Sequence, residues 1–266
     1  MFVAQYHLVS TSLSKVPQVT IFFWIIKILA TTVGETGADY LSTTLHLGLV
    51  TTSYVMSALF LAALAVQFAC KRYVPPVYWT VVVLVSVVGT LISDNLVDNL
   101  GVALTTSSAI FAAALALVFV LWWVSERTLS VHAINTRKRE FFYWAAILFT
   151  FALGTSAGDL LSEASGLGYA AAAAIFAGGI ALTALAYFAF KINGVLAFWV
   201  AYVLTRPLGA SIGDLLSQTV KDGGVGFGTV PTSVLFLCVI LALVTYLTLK
   251  QPDRIDAPAS QPASRS

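Results

Sequence analysis

Four tryptophans, Trp24, Trp79, Trp144 and Trp199, each precede a glycine by ten residues. Each of those glycines (Gly34, Gly89, Gly154 and Gly209) precedes an aspartate by five: Asp39, Asp94, Asp159 and Asp214. A leucine follows two positions later in every case, and an aromatic residue precedes every Trp, at Phe23, Tyr78, Tyr143 and Phe198. The motif Trp-x9-Gly-x4-Asp-x-Leu thus recurs four times without a gap, at spacings of 55, 65 and 55 residues. The first half maps onto the second at a constant offset of 120, the longer middle spacing being absorbed by the polar stretch 125–140. A repeat this strict requires four units of one local structure, packed in equivalent ways.

The units are apolar almost throughout. Charged residues make up 10% of the chain and hydrophobic ones 59%, where a soluble domain carries about 25% charged. Closed β-barrels cross bilayers with strands that alternate over ~10 residues, whereas runs such as 54–69 and 77–92 are continuously apolar. Windows of about 20 apolar residues cross the hydrocarbon core. Eight are placed here, at 18–42, 48–70, 76–98, 101–124, 141–164, 168–190, 194–217 and 230–249. The expected fold is all-α and polytopic, with eight transmembrane helices from four two-helix repeats. Two helices return the chain to its starting side, so the repeats run parallel, with pseudo-symmetry about the membrane normal. Alanine-rich even helices such as 169–188 read as packing scaffolds.

The expected organisation is an N-terminal segment (1–17), a first half (18–124), a cytoplasmic loop (125–140), a second half (141–250) and a disordered Pro/Ala/Ser tail (251–266). Lys71, Arg72, Arg127, Arg137, Lys138, Arg139, Lys191, Lys250 and Arg254 follow even-numbered spans, against Lys221 alone after the odd ones. Basic flanks stay cytoplasmic, which places both termini inside a multi-pass inner-membrane protein.

A net charge of +2 gives no reason to expect a nucleic-acid partner. Cys70 and Cys238 lie in apolar runs and read as small buried hydrophobes. The first residues carry no leader-like cleavage signature, and no cleavable signal peptide is expected. His7, His46 and His132 are too dispersed to form a site, and no hydrolase or protease motif is present, so neither an enzyme nor a covalent cofactor is expected.

The segments "ILATTVGETGADYLS", "VVGTLISDNLVDNLG", "FALGTSAGDLLSEASGLGY" and "RPLGASIGDLLS" carry a family resemblance. Over about residues 17–250 the chain resembles bacterial integral membrane proteins of unassigned function, built of four tandem two-helix repeats that each hold a tryptophan. Repeat two departs in having Ser93 where repeats three and four have Gly158 and Gly213. The resemblance implies a fold and no activity.

If each Trp starts its span at the interface as an anchor, the glycine lies ~15 Å and the aspartate ~22 Å deeper along the helix. Four positions after each Asp, on the same helical face, stand Thr43, Asp98, Glu163 and Gln218. With Glu35, seven of the chain's twelve acids (Glu35, Asp39, Asp94, Asp98, Asp159, Glu163 and Asp214) lie at membrane depth, against two bases, Lys27 and Arg206. Intramembrane carboxylates face a cavity or a partner, and two bases cannot neutralise seven acids. Lys27 and Arg206 are expected as internal counter-ions, and the glycines as packing positions or hinges.

The expected function is transport of a hard divalent cation (Mn²⁺, Mg²⁺ or Ca²⁺) as substrate, held by Asp39, Asp94, Asp159 and Asp214 and exchanged for protons. Export of organic cations, or a non-transporting scaffold or sensor role, are the alternatives. Lipid bilayer and cation are the partners, with one pathway per monomer or a homo-oligomer as the two ways to assemble four units. The orientation is testable by fusions. A fluorescent protein at the C-terminus should fluoresce, and an exported phosphatase inserted near His46 should be active; the opposite pair of results inverts the topology.

Overall fold

In the computed structural model, residues 14–253 are described. His7, Arg254, most of the N-terminal segment and all but the start of the tail lie outside them. The apolar windows become eight long helices: α1 (Ile21–Asp39), α2 (Leu49–Ala69), α3 (Pro75–Asp94), α4 (Leu104–Glu126), α5 (Arg137–Asp159), α6 (Tyr169–Phe190), α7 (Gly194–Ser217) and α8 (Thr229–Lys250). All eight are long and apolar enough to cross a membrane. Local chemistry starts and stops them. Pro75 and Pro76 occupy the first turn of α3, where no backbone donor is lost. Asn193 caps α7 by accepting from the Val195 and Leu196 amides. Gly48, Gly168 and Gly228, just before α2, α6 and α8, turn the chain at positive φ.

The odd and even helices differ in burial. In the central windows of α1, α3, α5 and α7, 56–61% of residues are buried, against 0–28% in α2, α4, α6 and α8. The odd helices therefore form an inner bundle and the even helices a coat with lipid-facing surfaces. The inner bundle is a closed ring, α1 against α3, α3 against α5, α5 against α7, and α7 back against α1. Each even helix packs on the odd helix of the next repeat: α2 on α3, α4 on α5, α6 on α7, and α8 on α1. Hydroxyl pairs tie the layers, Thr36 Oγ1 to Ser233 Oγ at 2.6 Å and Ser156 Oγ to Ser107 Oγ at 2.7 Å.

Two sets of contacts close this ring, and both use the repeated motif. A β-carbon on Gly34 would fall on Ser86, on Gly89 on Phe151, on Gly154 on Arg206, and on Gly209 on Thr31. Each partner stands three residues before the next repeat's glycine. At the end of the bundle that carries the termini, the aromatic before each Trp packs on the Trp of the following repeat. The pairs are Phe23–Trp79, Tyr78–Trp144, Tyr143–Trp199 and Phe198–Trp24, with ring centroids 5.5–6.3 Å apart. Trp79, Trp144 and Trp199 are consequently buried and Trp24 half-buried. The rings expected as interfacial anchors thus turn toward the bundle, because the neighbouring repeat offers an aromatic partner there.

The glycines are sites of close packing, and α1, α3, α5 and α7 run unbroken through them. The irregularity comes later, in π-helical turns directly after three of the motif aspartates, at Tyr40–Thr44, Asn95–Asn99 and Leu160–Ala164. The central loop is shorter than expected, because Arg137–Glu140 already form the first turn of α5. Glu140 is buried in an ion pair with Lys15 at 2.6 Å, which fastens the residues just before α1 to the start of α5.

The close approach predicts a sharp contrast between two glycines. Gly89→Ala would place a methyl 2.4 Å from Phe151 Cβ and 3.1 Å from its backbone carbon, at a cost of about 1–3 kcal/mol. Gly178→Ala on α6 meets nothing within 4 Å. Thermal unfolding in detergent should show a clear loss for the first and none for the second.

Candidate functional site

The ring encloses an axis, and its lining can be read by position in the repeat. One residue after the motif glycines stand Glu35, Thr90, Thr155 and Ala210. Three repeats offer an oxygen at this level and the fourth a methyl. The fourth repeat instead supplies Arg206, one helical turn before Ala210. Its Nη2 donates to Glu35 Oε2 at 2.7 Å and to Thr155 Oγ1 at 2.7 Å, and also to the Thr90 hydroxyl. Nη1 reaches the Thr31 carbonyl at 3.5 Å. One guanidinium thus joins all four inner helices, and its side chain is fully buried. Arginine suits this place because its fork holds several acceptors at fixed angles and keeps its proton.

Toward the termini along the same axis lies Lys27, one α1 turn before Thr31. Its residue is completely buried, and Nζ has no hydrogen-bond partner among the described residues. It rests over the rings of Phe151 and Tyr202, 4.3 and 4.2 Å from their centroids. The expectation of two counter-ions therefore divides. Arg206 is one, paired with Glu35. Lys27 has no carboxylate partner among the described residues, and the rings of Phe151 and Tyr202 lie against it instead. Beyond Lys27 the axis meets the aromatic layer, where the Tyr78 and Tyr143 hydroxyls share a hydrogen bond of 2.5 Å.

In the opposite direction the four motif aspartates follow one turn after the Arg206 layer. Asp214 is buried, Asp39, Asp94 and Asp159 are half-buried, and Asp98 and Glu163 are exposed. Glu35 and the four aspartates lie close enough for like charges to repel when ionised. Arg206 attracts Asp159. Gln218 donates from Nε2 to Asp39 Oδ2 at 3.3 Å, and Tyr169 donates to Glu163 Oε1 at 3.1 Å. Among the described residues the carboxylates of Asp94, Asp159 and Asp214 have no such donor.

The structure thus gathers Asp39, Asp94, Asp159, Asp214, Asp98 and Glu163 at one end of the axis. Glu35, grouped with them by sequence, is held by Arg206 instead. The motif aspartates stand at equivalent positions on the four inner helices. They do not form a common coordination sphere: among the described residues no three His, Cys, Asp or Glu side chains are placed to hold one metal ion. Sequence spacing also missed Thr90 and Thr155. The signal for them was present, since both occupy the position equivalent to Glu35.

A family model described as a repeat of unknown function (DUF347) matches the chain four times, at residues 22–73, 77–128, 142–193 and 197–252. Every matched segment starts two residues before a motif tryptophan. No curated protein and no solved structure matches the chain.

The Arg206 node predicts a strong coupling. Arg206→Met removes the ion-pair partner of Glu35 and leaves it the Thr90 hydroxyl at 3.5 Å, which for a buried pair costs about 3–5 kcal/mol. Arg206→Met combined with Glu35→Met should recover most of that loss. Chemical unfolding of the two single variants and the double variant measures the interaction directly.

Proposed function

We propose that this chain, which belongs to the DUF347 repeat family, is a transporter of a hard cation that enters through the acid-lined end of the four-helix axis. The observation that carries this is the vertical order of charge: six carboxylates at one end, the Arg206–Glu35 pair beneath them, and a closed aromatic layer beyond.

Carboxylates gathered around one axis repel one another and are costly to take out of water, and four repeated copies concentrate that cost. A divalent cation offsets it. Ions such as Mg²⁺ and Mn²⁺ keep several waters and use one or two carboxylates at a time, which suits acids spread around a mouth. Below the mouth, Glu35 is the carboxylate an incoming cation meets next, and to reach it the cation displaces the Arg206 guanidinium. The Arg206–Glu35 pair then serves as the gate, closed by its own attraction when no cation is present. With basic flanks inside, the mouth faces away from the cytoplasm. The bundle's aromatic pair, Phe151 and Tyr202, is already filled by Lys27, which favours a metal ion over an organic cation as substrate.

Purified protein in liposomes containing a Mn²⁺-quenched dye tests the proposal. Wild-type protein should admit Mn²⁺, and Asp159→Asn with Asp214→Asn should reduce the rate at least ~10-fold, a barrier change of about 1.4 kcal/mol or more, while thermal unfolding stays close to wild type. Undiminished flux in that variant sinks the proposal. Tetraethylammonium in excess should leave the Mn²⁺ rate unaltered.

A further inference from the structure

Lys27 stands apart from the other buried bases among the described residues, Lys15 and Arg206. Arg206, Glu35, Lys15 and Glu140 are paired by hydrogen bonds of 2.6–2.7 Å. Lys27 has no acceptor for its Nζ among the described residues, although the residue is wholly enclosed. Its equivalents in the other repeats are Val82, Ile147 and Tyr202, so the repeat pattern does not call for a base here. Neighbouring elements do not supply an acid either. α7 presents Tyr202 and Arg206, and α5 presents Phe151. The titratable groups of α3 are Tyr78 and Asp94, near opposite ends of that helix, and α8 has Cys238 and Tyr246 before its terminal Lys250, and no acid.

We propose that Lys27 is the proton-exchanging group of the pathway, a role that rests on the transport reading above. As an ammonium it sits between Phe151 and Tyr202 and bars the axis to cations; once it gives up its proton, positive charge can pass. An aromatic seat is suited to such an exchange. Ring faces attract the ammonium, yet they form no ion pair that would hold the proton permanently, and a buried lysine releases a proton where an arginine does not. The exchange is balanced. The N–H electron pair stays on Nζ, and the proton leaves toward the acid-lined mouth, from which the cation comes. Glu35 lies on that route, eight residues or ~12 Å further along α1. Each proton released removes one positive charge from the axis as a cation brings charge in, so the pathway never carries Lys27, Arg206 and a bare cation together.

Two variants separate this role from mere packing. Lys27→Arg keeps the charge and cannot release it; its Mn²⁺ flux should fall at least ~10-fold, while Mn²⁺ still raises the melting temperature as it does in wild type. Lys27→Met never carries charge; it should conduct Mn²⁺ without the proton counter-flow that an internal pH dye reports for wild type. Unchanged proton counter-flow in Lys27→Met overturns the proposal. A separate measurement does not depend on transport. In ¹⁵N-lysine-labelled wild-type protein, the Nζ resonance absent from Lys27→Met should move between the ammonium and amine positions within the pH range where the protein stays folded. A resonance fixed at the ammonium position throughout that range overturns the role of Lys27, whatever the liposomes show. A wild-type protein that moves no cation while this resonance titrates refutes the transport reading alone.

Discussion

The bundle depends on backbones approaching within contact distance at four glycines. Gly34, Gly89, Gly154 and Gly209 each accept a side chain from the next inner helix at a place where even a methyl would overlap it. Lipid is as apolar as leucine, so helices in a bilayer gain little from hiding hydrocarbon and must associate through close packing and polar contacts. Repeating the close approach four times, with the last unit meeting the first, turns four hairpins into a ring. The aromatic–tryptophan pairs repeat the arrangement nearer the termini and leave that end of the axis filled by rings.

Tight closure explains why the axis departs from the symmetry of its walls. Four arginines or four glutamates could not share one narrow axis. A single Arg206 reaches three other helices, because Thr90, Thr155 and Glu35 are brought to one level by the same closure. Desolvating a charge pair is expensive, and the bonds made by Nη1 and Nη2 offset that cost, while Nε has no hydrogen-bond partner among the described residues. At the aspartates the constraint loosens. The helices pass into π turns in three repeats, burial decreases, and charge of one sign can collect beside water.

Much of this was legible in the residues. Spacing alone gave the eight spans, the parallel sense of the repeats and the shared depth of Asp39, Asp94, Asp159 and Asp214, since rise per residue is fixed in a helix. The fate of each buried charge was less legible. Glu35 and Lys27 lie eight residues apart on one helix, and sequence treats both as buried charges in search of partners. Only the packing partner separates them: Glu35 faces Arg206, while Lys27 faces Phe151 and Tyr202. The tryptophans illustrate the same limit, because an interfacial depth is compatible with a ring turned to lipid or to a neighbour.

The sequence by itself therefore determined quantities that run along the chain: how many helices, how long, which residues share a turn and which share a depth. Tertiary structure decided what runs across it. It set α8 against α1 to close the ring, turned the tryptophans inward, gave Arg206 to Glu35, and left Lys27 between two rings. The physical reason is that helix geometry is governed by hydrogen bonds between residues four apart. Contacts across the axis join residues separated by fifty or more positions and exist only once every repeat has found its neighbour.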